Sequence, residues 1–114
     1  MNSASAITQQ ELQQVSQYCE TITAPARPFN ISYGFKTRGN SIILEETRPA
    51  MLDKQNMSCS PVAKFQKNPI ELTWELLWSD RNSKWHHFIP KRTAKRITTL
   101  LAEVGKDPTG IFFG

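Results

Sequence analysis

Between Ile70 and Trp78 every second residue is large and apolar: Ile70, Leu72, Trp74, Leu76 and Trp78 alternate with Glu71, Thr73, Glu75, Leu77 and Ser79. Side chains alternate across a strand, so this run has one fully apolar face and one largely polar face. Such a strand is stable only where a second layer covers its apolar side, and two stretches at helical spacing are suited to be that layer. Near the N-terminus, Thr8-Gln9-Gln10-Glu11 is a capping box, and Ile7 and Leu12 are placed as a hydrophobic staple. Leu12, Val15, Cys19 and Ile22 then line one helical face, on which Cys19 reads as a small buried apolar side chain. Pro25 and Pro28 end this helix. Near the C-terminus, Thr93 is the expected N-cap, Ile97, Leu100, Leu101 and Val104 the stripe, and Gly105 the C-cap of a second helix.

The rest of the chain reads as strands and turns. Phe29, Ile31, Tyr33 and Phe35 alternate with polar residues and predict a half-buried strand. Arg38-Gly39-Asn40 turns it into a second strand, Ser41 to Glu46. Pro49 to Ser60 has no periodicity and predicts a surface loop, followed by a short strand at Val62 to Gln66 and a turn at Asn68-Pro69. Asp80 to Ser83 closes a hairpin into Lys84 to Ile89, and its length decides which histidine faces the core. An even loop sets Trp85 across from Trp78 and buries Trp85, His87 and Ile89. A three-residue loop with Asn82 in the left-handed region, which Asn tolerates, sets His86 across from Leu76 and Phe88 across from Trp74.

The architecture implied is a single α+β domain over residues 1–114, an antiparallel four- to five-stranded sheet packed on one face against an N-terminal and a C-terminal helix. A chain of 114 residues with three Trp, six Phe and two Tyr buries enough surface to hold one core without disulfide or metal staples. Ile111-Phe112-Phe113 gives the tail apolar area with which to dock. Met1 to Gln10 has neither Lys, Arg nor an apolar run, so no secretory or transit signal is expected, and no stretch approaches the roughly 20 apolar residues of a membrane span. A cytoplasmic protein with Cys19 and Cys59 as thiols follows.

The chemistry with most content lies after Pro90. Lys91, Arg92, Lys95 and Arg96 crowd the expected first turns of the second helix, where the macrodipole disfavours cations, so stability does not explain them. A helix N-terminus with several cations suits an anion, and Trp85 and His86 or His87 add stacking and hydrogen bonding nearby. The structural alternative is four long side chains reaching into water. His86-His87 does not suggest a metal site, because neighbours in a strand point to opposite faces. His86 with Asp80 or Glu75 has the makings of a general base, though such a pair is common in ordinary sheets. Glu71 and Glu75 share a side of the central strand, where Lys64 and Lys84 are placed to neutralise them. Phosphate-loop, nucleophile-elbow, zincin and dinucleotide fingerprints do not occur, and no cofactor or metal is implied.

Four further runs occur in order: Trp78-x-Asp80-Arg81-Asn82, Trp85-His86-x-Phe88, Leu101-Ala102-Glu103-Val104, and Asp107-Pro108-Thr109-Gly110-Ile111-Phe112-Phe113-Gly114, with Pro61-Val62-Ala63 upstream. Together they resemble a family of small bacterial proteins, domain of unknown function three-zero-two-four. The resemblance implies a bacterial source and an intact single-domain protein, and brings no reaction or catalytic residues; the basic run after Pro90 is not part of its pattern. The sequence thus assigns no activity. Three readings stand: a non-enzymatic module binding nucleic acid or another polyanion through Lys91, Arg92, Lys95, Arg96, Trp85 and His86, a protein-interaction module, and a small enzyme using His86. No membrane partner is expected, and the oligomeric state is open.

Overall fold

A computed structural model of the chain describes residues 5–50, 56–91, 93–107 and 110–113. The capping box forms: the Glu11 amide donates to the Thr8 hydroxyl at 3.1 Å and the Thr8 amide to the Glu11 carboxylate at 2.9 Å. Helix α1 runs Gln9–Thr23, and its buried residues are Val15 and Cys19. Pro25 and Pro28 continue it as a 3-10 helix, Ala24–Phe29, which ends on Asn30 in the left-handed region at φ 57°. Fixed proline φ angles hold this segment out of the sheet, so Phe29 is 70% exposed and the first strand starts later than the alternation predicts.

The strands are β1 (Ser32–Arg38), β2 (Ser41–Pro49), β3 (Met57–Lys67), β4 (Trp74–Ser79), β5 (Trp85–His87) and β6 (Thr93–Ala94), followed by helix α2 (Ile97–Lys106). They form one antiparallel sheet in the order β1-β2-β3-β4-β5, with β6 paired to β4. Both helices pack on one face, where Ile42, Leu44, Phe65, Trp74, Leu76 and Phe88 meet Val15, Cys19, Ile97, Leu100, Leu101 and Val104. Phe112 joins them at 8% exposure, its ring 5.0 Å from that of Phe88.

Several expectations are corrected. Ile70 and Leu72 do not extend the apolar face of β4: they are 89% and 52% exposed. The Asn68 side-chain oxygen accepts from the amides of Ile70 and Glu71, the Leu72 amide returns to the Asn68 carbonyl, and Leu72 sits at φ 61°. The local hydrogen bonds of Asn68 thus outweigh the alternation, and the strand begins at Trp74. The predicted loop from Pro49 to Ser60 is in part strand, since Pro49 pairs with Met57 and Arg48 with Ser58; residues 51–55 of it lie outside the described residues. Met57 to Pro61 are exposed, so no burial imposes a period of two there.

The second hairpin has the three-residue loop, Arg81 to Ser83, with Ser83 rather than Asn82 left-handed at φ 63°. The left-handed residue of such a loop is its third, after a type I turn. His86 therefore opposes Trp78 rather than Leu76, and the Phe88 amide donates to the Leu76 carbonyl, not across from Trp74. Both still face the helices. Thr93 is not an N-cap, because Thr93 and Ala94 pair with Glu75 and Trp74; Arg96 holds that position. Gly105 lies inside α2, and Asp107, left-handed at φ 43°, is the C-cap. The Asp107 carboxylate accepts from the amides of Phe112 at 3.0 Å and Phe113 at 2.7 Å, which turns the tail back onto the core.

Candidate functional site

The placement of Thr93 and Ala94 in the sheet moves the basic residues. Lys91 ends a short 3-10 helix, Ile89–Lys91, Lys95 lies between β6 and α2, and Arg96 is the α2 N-cap. They therefore precede the helix instead of occupying its first turns, and helical i to i+4 spacing does not organise them. Arg92 lies outside the described residues. Because β5 and β6 pair with successive parts of one side of β4, the segment from Arg81 to Arg96 follows a single edge of the sheet. Six of the chain's 14 Lys and Arg fall in this segment and none of its 10 Asp and Glu, so the whole positive excess is here. Among the described residues no ion pair involves Arg81, Lys84, Lys91, Lys95 or Arg96.

Lys95 and Arg96 also line a polar cleft of about 480 Å³ between the starts of the two helices, with Thr8, Gln10, Gln14 and Thr98. Glu11 borders it, but its carboxylate is already engaged. One oxygen accepts from the Thr8 amide and Lys67 Nζ, the other from Lys67 Nζ and Trp74 Nε1 at 3.0 Å each. Burial works to raise the Glu11 pKa, and the hydrogen bonds from Lys67, the Thr8 amide and Trp74 outweigh it, so the group stays ionised below its ordinary range. Among the described residues no side chain caps the first amides of α2. The cleft thus presents two cations and uncapped amides with no carboxylate oxygen unclaimed, an arrangement suited to anions.

The structure separates the two aromatic candidates. Trp85 is on the outer face of the sheet, away from the helices, with Lys64 Nζ 5.8 Å from its ring centroid. His86 is on the helix side, tilted over Trp78 at 4.8 Å between centroids and bonded to Asp80 at 2.7 Å. The His86 contact and the amides of Lys84 and Asn82 hold Asp80 below its ordinary pKa. His87 shares the outer face with Trp85 and bonds Glu75. The two histidines are thus on opposite faces, and among the described residues no three His, Cys, Asp or Glu side chains converge as a metal site would. Glu71 sits in the turn before β4 while Glu75 pairs with His87, so they do not form an acid-base couple; Lys64 pairs in register with Leu77 instead.

Sequence reasoning missed Arg81, Lys84 and Lys64 as members of this surface, although the acid-free interval from Arg81 to Arg96 was there to count. It also missed Lys67, 5% exposed beneath the N-terminal segment, because the capping box already accounted for Glu11. No helix among the described residues is long and apolar enough to cross a membrane. No curated protein and no solved structure matches the chain. A family model does match, Domain of unknown function (DUF3024), over residues 3–114, and by that match the chain belongs to this family.

Proposed function

We propose that this chain is a non-enzymatic binding module for nucleic acid or another polyanion, engaged along the edge from Arg81 to Arg96. The observation that carries the reading is the segregation of charge. Exposed cations that have no ion pair among the described residues gather on one edge, while the rest of the chain holds every carboxylate. Such a surface attracts phosphate or sulfate chains largely without regard to sequence, and its affinity falls steeply with salt. Lys91, Lys95 and Arg96 are the central contacts, with Arg92 next to them in sequence; Trp85 and His86 flank them on opposite faces. We place the module in the bacterial cytoplasm, in keeping with two unpaired cysteines.

The test is retention on immobilised heparin and binding of a fluorescein-labelled oligonucleotide, for the wild type and a variant with Lys84, Lys91, Lys95 and Arg96 replaced by Ser. The wild type binds at low salt, and the variant flattens the log-log salt slope by about 3. Wild-type protein that ignores both ligands at low salt overturns the reading. A second reading, a protein-interaction module, rests on an apolar groove of about 430 Å³ lined by Ile22, Pro25, Phe29, Tyr33 and Phe113, at which Phe29 is largely exposed. A specific partner retained at high salt and lost on Phe29→Ser favours it.

A further inference from the structure

We infer that the outer face of the sheet binds a single nucleic-acid strand, one base of which stacks on Trp85. This rests on the polyanion reading above and narrows it to one ligand. The face is uncovered by either helix, since both lie in the core on the other side. Across it Lys36, Ile43, Lys64, Leu77 and His87 form one row of cross-strand partners from β1 to β5, about 19 Å wide at the usual strand spacing. Leu77 is only 8% exposed although no element among the described residues covers it, so the side chains around it close over a small apolar floor. Trp85 stands beside that floor, half-buried, at the border with the basic edge.

Charge complementarity selects the occupant. The carboxylates of this face are answered within the protein, Glu45 by Lys36 at 3.1 Å and Glu75 by His87. Lys64 and Arg38 share the face and have no ion pair among the described residues, and Lys84 and Lys91 continue the positive surface around the edge. An aromatic ring with an ammonium over it, set in a shallow, positively charged sheet face, matches a strand whose bases are free to leave the stack. The base lies on the indole and the neighbouring phosphate meets Lys64. In a duplex both faces of every internal base are already covered by its neighbours, so along its length Trp85 has nothing to stack on. A sulfated polysaccharide offers no flat aromatic group at all.

The experiment titrates wild-type protein, Trp85→Ala, Trp85→Phe and Lys64→Gln with a 15-residue oligothymidylate, its blunt duplex with oligoadenylate, and heparin, following tryptophan emission and anisotropy, with a thermal melt of each variant. The expected results are quenching of wild-type emission by the single strand, about tenfold weaker single-strand binding for Trp85→Ala, and near wild-type affinity for Trp85→Phe. Lys64→Gln lowers the single-strand salt slope by about 0.7, and duplex and heparin binding do not depend on position 85. If Trp85→Ala does not fold, quenching in the wild type and retention by Trp85→Phe still decide. Single-strand binding without quenching, or unchanged in a folded Trp85→Ala variant, overturns this inference. The basic-edge reading survives that result if the four-serine variant still loses affinity. Wild-type protein that binds none of the three ligands removes both.

Discussion

Replacing Glu11 by Gln perturbs the fold at its most interior charged contact. Lys67 is 5% exposed, and its ammonium donates to both Glu11 oxygens at 2.8 and 3.0 Å and to the Ala6 carbonyl at 3.0 Å. Glutamine keeps the shape, an acceptor for Trp74 and most of the packing, so the change isolates the charge. Removing one partner of a buried pair costs about 3 to 5 kcal/mol, since the remaining ion is left uncompensated. The Glu11 side chain is 16% exposed, so water reaches one side of the pair and the lower figure, about 3 kcal/mol, applies. At about 4 °C per kcal/mol for a chain of this size, the midpoint of thermal unfolding should fall by about 12 °C. The double variant Glu11→Gln, Lys67→Met removes both charges and should recover all but about 1 kcal/mol, because an apolar side chain fills the site without a desolvated ion. Circular dichroism melts of the wild type, both single variants and the double variant measure this coupling. A single variant that costs no more than an exposed cap, about 1 kcal/mol, together with additive behaviour in the double, would mean that Glu11 and Lys67 are not coupled as a buried ion pair.

Arg96→Ser should stabilise the protein by about 0.5 to 1 kcal/mol: residue 96 is the N-cap of α2, already extended at φ −118° and ψ 136°, and serine supplies the missing cap, which a urea titration will register. Phe112→Ala should cost about 3 kcal/mol through the cavity left beside Phe88, and an unchanged urea midpoint would mean that the tail does not dock. Stability should also decline in acid. Glu11 and Glu46 are held below their ordinary value of 4.5, so the unfolded chain binds protons more readily. Their contribution is complete above that value and is lost as pH falls through the lower folded values; melts from pH 6 to pH 3 should show this loss, reduced in Glu11→Gln.

What was legible in the sequence was local or periodic. Thr8 and Glu11 specify a helix start through bonds spanning three residues, and the stripe of Ile97, Leu100, Leu101 and Val104 repeats because one helix face is buried. Periodicity misled where no core enforced it. Ile70 and Leu72 continue the rhythm of Trp74 and Leu76, yet Asn68 draws them into a turn. In the other direction, Met57 to Ser60 show no alternation and still pair with β2, because both faces there meet water. The site was legible as composition but not as geometry. The cations after Pro90 were plain, whereas their place before α2 depends on Thr93 and Ala94 finding β4, a contact across some 18 residues that no local rule signals. That Trp85 and His86 lie on opposite faces follows from their being neighbours in a strand; what the loop ending at Ser83 decides, and no local rule signals, is that Trp85 faces outward and His86 the helices.

The most direct test of the central claim is a nitrogen-15 amide spectrum of the wild-type protein titrated with a short oligonucleotide at low salt. Perturbations should concentrate at Lys84, Trp85, Lys91, Lys95 and Arg96, spread to Lys64 across the outer face, and vanish as salt is raised. Perturbations centred on Phe29 and Ile22, or a spectrum that does not change at any oligonucleotide concentration, would contradict it.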